Sequence, residues 1–335
     1  MPNDPTMRAA MLDAPGAPFR LATIPRPRPG PGQVLVRIAA SGMNPLDGKI
    51  RAGEAPHARQ PLPAILGIDM AGTVEAVGEN VVGFKLGDEV YGMTGGVGGH
   101  QGSLAEYAAV AAELLALKPK NLGMSEAASL PLVCITAWEG LVDRAAVGAG
   151  QSVLVLGGAG GVGRAALQIA KAFGANVYAT GSPASAAPIE ALGAQFIDRS
   201  EPIAEAVGRL TGGRGFDLVY DTVGGAVLDS AFVAVRRFGR VVSCLGWGAH
   251  LLAPLSFRAA SYSGVFTLLP LLTGEGRARH GQILADVARL VEAGRLTTAL
   301  DPRRFTLETV TDAYLAAKVA SGRGKLVIEI ESAGA

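Results

Sequence analysis

Apolar residues change their spacing along this chain, and each change marks a different kind of element. Between residues 19 and 115 they fall in short runs such as Val34 to Ile38, Gly72 to Val77 and Glu89 to Tyr91. These runs are rich in β-branched side chains and are broken by proline and glycine at Pro25 to Gly32, Gly78 and Gly87. The pattern predicts short strands separated by turns, hence a compact, mainly antiparallel β unit. After Gly123 it turns helical: Ser125-Glu126-Ala127-Ala128 reads as a helix start and Ile135 to Val142 as a second helix. From Ser152 onward strands alternate with helices. The predicted strands are 152–157, 176–180, 195–197, 216–221, 240–246 and 263–269, and the predicted helices 161–173, 185–192, 202–211 and 225–237. This alternation predicts an α/β fold with a doubly wound parallel sheet that binds ligands at the carboxyl ends of its strands. Beyond Pro270, helices are expected over 279–293 and 307–320, then a closing strand, Lys325 to Ile330, that rejoins the first unit. The expected domains are residues 1–124 with 271–335, and residues 125–270.

The junction between the first strand and first helix of the second unit holds the clearest chemistry. Gly158, Gly160 and Gly163, with Gly161 and Val162 between them, fit the spacing G-x-G-x-x-G. The first glycine allows a tight turn, the second lets backbone approach a pyrophosphate, and the third lets the helix pack close to the sheet. Helix N–H groups then hold the phosphates without a basic side chain. The apolar run Val153 to Leu156 before the turn, and Ala165, Leu167, Ile169 and Ala170 after it, give this motif the strand and helix it needs. The second unit is therefore expected to be a Rossmann-type dinucleotide-binding domain. An NAD-selective site carries Asp or Glu about 20 residues beyond the glycines, bonded to the ribose 2′-OH. Here that position falls near Gly181 and Ser182, and no acid follows until Glu190. A 2′-phosphate is thus permitted, with Ser182 and Ser185 as its hydrogen-bonding partners and Arg199 as its positive charge. NADPH is expected, with NADH possible.

Composition narrows the class further. A chain of 335 residues exceeds the usual size of one domain, and its formal net charge of +1, spread without long single-sign runs, favours neither nucleic acid nor an anionic membrane as partner. Cys134 and Cys244 are too few for a disulfide framework and too far apart for a C-x-x-C site. Met1 to Met11 lacks an apolar signal-peptide core, and glycine, proline or charge interrupts every long apolar stretch. A cytoplasmic protein acting on a small molecule is expected.

Several further motifs resemble, in order, the medium-chain dehydrogenase/reductase superfamily, and in particular its zinc-free quinone oxidoreductase branch. They are Gly42-Met43-Asn44-Pro45-Leu46-Asp47-Gly48-Lys49-Ile50-Arg51, Gly67-Ile68-Asp69-Met70-Ala71-Gly72-Thr73-Val74, Gly87-Asp88-Glu89-Val90-Tyr91, Thr136-Ala137-Trp138, the glycines 158–163, Phe216 to Gly225, and Gly324-Lys325-Leu326-Val327. The resemblance implies a Rossmann cofactor domain joined to a mainly antiparallel β catalytic domain. In zinc-dependent alcohol dehydrogenases the first catalytic ligand, a cysteine, falls where this chain has Asn44, and the histidine of their G-H-E motif falls at Ile68. The four-cysteine structural lobe has no counterpart, and the four histidines, His57, His100, His250 and His280, are scattered. No metal is expected.

Without a metal, the natural reaction is hydride delivery to an acceptor that is already electrophilic, a quinone or an α,β-unsaturated carbonyl. By resemblance Asn44, Asp47 and Lys49 line the catalytic segment: Asn44 donates to the acceptor oxygen, and Lys49 stabilises charge or donates a proton if it is buried, with Asp47 orienting it. Asp47 and Lys49 as a merely structural ion pair remain the alternative. Asp69 and Asp88 read as hydrogen-bonding and turn residues. Thr136, Thr222, Leu245, Gly246 and Lys325 are implied cofactor contacts. An enoyl thioester reductase and a non-catalytic NADPH-binding protein are the other functions left open. The resemblance also implies a homodimer, with Val265 to Leu269 as its candidate sheet edge.

Overall fold

The computed structural model of the chain describes residues 5–319 and 324–330. It divides into two compact units, Met1–Leu132 with Leu268–Ala335, and Val133–Thr267. Among the described residues no helix is long and apolar enough to cross a membrane.

The first unit is built from β1 (Thr6–Leu12), β2 (Arg20–Pro25), β3 (Gln33–Gly42), β4 (Ala64–Ile65), β5 (Asp69–Val77), β6 (Glu89–Met93), β7 (Tyr107–Ala111) and β8 (Leu115–Leu117). A small sheet runs β2-β1-β4, and a larger one joins β3, β5, β6 and β8 in that order with β7 also paired to β3. All of these pairs are antiparallel. β3 is the spine. Val34, Val36, Ile38 and Ala40 alternate along it and are fully buried, as side chains on one face of a strand must be when that face meets a core. The C-terminal segment returns to this sheet through Val327–Glu329, antiparallel to the far end of β3, and Phe305–Thr306 beyond it. That return brings the closing motif beside Gly42 and hence beside Asn44.

The second unit holds β9 (Ser152–Leu156), β10 (Asn176–Gly181), β11 (Gln195–Asp198), β12 (Phe216–Asp221), β13 (Val235–Ser243) and β14 (Ser261–Gly264) in the order β11-β10-β9-β12-β13-β14. Every neighbouring pair is parallel. The order reverses between β9 and β12, which opens a crevice at their carboxyl ends. One face of the sheet, with Leu154, Leu156, Val219 and Val241, packs against Ala206, Val207, Leu228, Ala231 and Phe232 from the helices Ile203–Thr211 and Ala226–Ala234.

Among the expected elements that differ in their bounds, two matter here. The helix expected over 225–237 stops at Ala234, because β13 starts at Val235 and bulges through Phe238, whose φ is +59°. The strand expected over 263–269 is instead the polar Ser261–Gly264. The Val265 N–H makes the last ladder bond, to Ser243 O at 2.9 Å, Val265 and Leu268 are buried, and Leu269 opens a helix with Pro270 in its first turn. The apolar stretch 265–269 is therefore not a sheet edge.

Candidate functional site

After Leu156 the chain turns through Gly157, whose φ of +86° suits glycine alone. The tight-turn role expected of Gly158 thus belongs to Gly157. Gly158 serves the packing instead, since a Cβ there would lie 2.5 Å from the Cβ of Ala179 on β10. At Gly163 a Cβ would come within 2.2 Å of the Gly157 carbonyl oxygen, so the helix Gly161–Ala172 can approach the strand only without a side chain at that position. Gly160, the N-cap, is different: its nearest neighbour would be 3.5 Å away. The turn is anchored by the Gly157 N–H on Thr180 Oγ1 (3.1 Å) and the Gly158 N–H on Thr180 O (2.9 Å). It leaves Gly160, Gly161 and Val162 at a helix start whose first N–H groups lack partners within the helix, a cradle that fits a pyrophosphate.

At the next strand ends, the Arg199 N–H donates to Gly181 O at 2.9 Å, which places Arg199 beside the turn carrying Ser182 and Ser185. Ser185 Oγ donates to Ser182 O at 2.7 Å. Asp198, the adjacent acid, is turned to the Ser200 N–H and Oγ. The Arg199 side chain is exposed and has no ion pair among the described residues. The structure therefore brings the backbone of Arg199 to the turn that carries Ser182 and Ser185.

Thr222 Oγ1 donates to Leu156 O at 2.7 Å, and a Cβ at Gly157 would touch it, so it abuts the glycine turn. The Leu245 N–H donates to Ser243 Oγ at 3.0 Å, and Gly246 lies against Tyr262 Oη. Thr136, buried on the helix Pro131–Trp138, accepts from Thr267 Oγ1 at 3.0 Å through its own Oγ1. Sequence reasoning missed Asp221. Fully buried at the end of β12, it accepts the Val223 and Gly224 N–H groups at 3.0 Å each and Ser243 Oγ at 2.7 Å. It thereby clamps the Asp-Thr-Val-Gly-Gly turn. An acid at the end of an apolar strand just before a glycine pair was the available signal. Burial, aided by the Asp221 charge, pushes the Cys244 thiol up to about 12.

The first unit carries a second polar centre. Asn44 caps the helix Pro45–Ala52, and its backbone N–H donates to Asp47 Oδ2 at 2.8 Å. Its side-chain Nδ2 donates to Asp69 Oδ2 at 3.0 Å, while its Oδ1 accepts from Lys325 Nζ at 2.5 Å. Lys325 Nζ also stands 3.6 Å from Asp69 Oδ2, and Asp69 Oδ1 accepts the Leu132 N–H at 2.9 Å. Burial pushes the Asp47 carboxyl from 3.8 up to about 7, with the Asp69 charge adding and the Asn44 N–H and Lys325 opposing. Burial likewise raises Asp69 to about 6 against Lys325 and Asn44. Lys325, expected at the cofactor, thus meets Asn44. Lys49 does not join them: it is exposed and makes no ion pair with Asp47. Asp69 is the hydrogen-bonding residue expected, and Asp88 the turn residue, accepting the Lys85 N–H at 2.9 Å.

These residues do not fit a zinc ion. Both ends of the Asn44 amide are engaged, Ile68 is a fully buried hydrocarbon, and an ammonium already faces Asp69. Among the described residues no cluster of three or more His, Cys, Asp or Glu is placed to bind a metal. Two buried carboxylates, one ammonium and one amide can instead position a polar acceptor atom and stabilise charge on it.

Residues 30–120 match the family model of the alcohol dehydrogenase GroES-like domain, and residues 161–268 that of zinc-binding dehydrogenases. The chain is 39% identical to the 2-methylene-furan-3-one reductase of Solanum lycopersicum, over 88% of this chain and 71% of that one. It is 36% identical to the chloroplastic NADPH-dependent alkenal/one oxidoreductase of Arabidopsis thaliana, over 88% and 72%. The crystal structure of an alcohol dehydrogenase superfamily protein from Novosphingobium aromaticivorans superposes with a TM-score of 0.96 at 57% identity, covering 97% of this chain and all of that one.

Proposed function

The chain belongs to the medium-chain dehydrogenase/reductase superfamily, a family of oxidoreductases, and from that premise we propose that it is an NADPH-dependent reductase working without zinc. Its acceptors are α,β-unsaturated carbonyls and quinones. One observation carries the reading: at the positions of the family's metal ligands stand an apolar Ile68 and an Asn44 amide held by Lys325 and Asp69. Such a set cannot polarise an alcohol for oxidation, but its N–H donors suit an oxygen that gains negative charge.

When bound, the dinucleotide supplies a hydride. The chain's own residues do the rest. The glycine turn and the start of the helix Gly161–Ala172 take the pyrophosphate, while Ser182, Ser185 and Arg199 take the 2′-phosphate. Asn44 directs an amide N–H to the acceptor oxygen and places the conjugated system for reduction. For an enone the hydride adds at the β-carbon, the carbonyl oxygen gains the negative charge, and a proton from water completes the saturated ketone. The names of the relatives from Solanum lycopersicum and Arabidopsis thaliana agree with acceptors of this kind. We further propose a homodimer.

The test is an acceptor screen followed by NADPH absorbance, run with small enones, quinones and acyl thioesters, in parallel with NADH, and with metal analysis of the same sample. Turnover of enones or quinones with NADPH preferred, undiminished by a chelator, is expected. Stoichiometric zinc with activity lost on chelation, or turnover confined to thioesters, overturns the proposal.

A further inference from the structure

We infer that Lys325 and Asp69 lock the Asn44 side chain in a single amide orientation, so that its second Nδ2 hydrogen is reserved for the acceptor oxygen. The inference rests on the reductase reading above and assigns both residues as positioning residues. An asparagine amide has two nearly isosteric orientations, and its partners decide between them. Here they are of opposite kinds. A lysine ammonium only donates and an ionised carboxylate only accepts, so the observed orientation pairs Oδ1 with Lys325 Nζ at 2.5 Å and Nδ2 with Asp69 Oδ2 at 3.0 Å. The flipped amide sets N–H against ammonium and C=O against carboxylate. Nδ2 has a second hydrogen, and no acceptor among the described residues takes it.

The frame around the amide is rigid. The Asn44 backbone is fixed by Asp47, and Asp69 by the Leu132 N–H. Lys325 is pinned through its own N–H to Ala299 O at 2.7 Å and its carbonyl to the Asp301 N–H at 3.0 Å, and the next residue, Leu326, accepts the Met43 N–H at 3.0 Å. Orientation is therefore a matter of specificity as well as rate. A locked donor favours conjugated carbonyls and quinones, which bring lone pairs, whereas a flipped amide offers a carbonyl suited to hydroxyl groups.

The experiment labels asparagine with 15N in the full chain loaded with NADPH and follows the Asn44 side-chain amide, identified by its loss in Asn44→Ala, together with kcat and KM on an enone. In the wild type, two separate, slowly exchanging amide hydrogens are expected. In Lys325→Met, amide exchange should quicken and kcat fall by roughly 10- to 100-fold, the effect of losing a hydrogen bond to a charged group. NADPH affinity should stay within about twofold, since no phosphate contact changes, and Lys325→Arg should recover most of both signals. Asp69→Asn, nearly isosteric, decides the matter if Lys325→Met fails to fold, with the same direction expected. Unchanged amide exchange together with kcat within about twofold in whichever variant folds overturns the inference. A wild type that reduces neither enone nor quinone sinks the reductase reading alone, and the amide exchange then decides the orientation by itself.

Discussion

Asp47 shows how much a single residue gives up to build this centre. Its Oδ2 caps a helix, yet its Oδ1 is buried with no hydrogen-bond partner among the described residues, and burial raises its carboxyl from 3.8 to about 7. Between those two values the folded chain holds a proton that the unfolded chain has released. Stability therefore falls as pH rises through this window, and the loss is complete above pH 7. At about 1.4 kcal/mol per unit, it is on the order of a few kcal/mol. Asp69, raised to about 6, acts with the same sign. Asp47→Asn keeps an oxygen for the cap and removes the charge, so its Tm should exceed that of the wild type at pH 8 and converge with it near pH 4. A gain as large at pH 4 as at pH 8, or a loss at pH 8, contradicts this account. At this scale Asn44 was legible in the sequence through its motif, whereas the pairing of Asp47 with Lys49 was not sound. Residues two apart on a helix do not face each other, and here Asp47 turns inward while Lys49 faces solvent. Lys325 reaches Asn44 across 281 positions, a separation no local pattern encodes.

Among the elements, the glycine turn separates two roles that one motif merges. Gly163→Ala must force its Cβ against the Gly157 carbonyl at 2.2 Å, so both Tm and dinucleotide affinity should fall. Gly160→Ala meets nothing closer than 3.5 Å in the chain itself and crowds only the space where a phosphate would lie. Its Tm should match the wild type within about 2 °C, while NADPH binding weakens by roughly tenfold or more, as expected when backbone can no longer approach the pyrophosphate. Calorimetry and fluorescence titration check the pair, and unimpaired binding by Gly160→Ala removes that residue from the phosphate site. Strands flanked by sharp breaks, such as β9 and β12, could be read from their apolar runs. The end of the helix Ala226–Ala234 could not, because Val235 continues its apolar pattern and only pairing with Phe216 turns it into strand. Asp221 escaped in part for a related reason: beside the local Val223 and Gly224 N–H groups it takes Ser243 Oγ, which meets it only once β12 and β13 lie side by side.

For the whole molecule, the changing spacing of apolar residues predicted two kinds of unit and a closing strand that returns to the first, and Val327–Glu329 does pair with β3. That spacing did not reveal which surface is left uncovered. β14 pairs with β13 alone, so its outer edge is unpaired among the described residues. Phe238 is tied by its N–H to Arg258 O, next to Phe257, and Leu251 lies just before the short helix Ala253–Ser256 that leads to both. These three side chains are 76%, 84% and 74% exposed respectively. Large exposed apolar side chains near an open strand edge favour self-association. The expected dimer should therefore use this region in place of the 265–269 stretch, where Val265 and Leu268 are buried. Light scattering at micromolar concentration should give twice the 34.1 kDa chain mass. Phe238→Glu combined with Phe257→Glu should give a monomer. Since neither residue belongs to the glycine turn or to the Ser182, Ser185 and Arg199 cluster, that monomer should still bind NADPH within about twofold of the wild type. A wild-type monomer, or a dimer indifferent to both charges, removes this surface from the assembly.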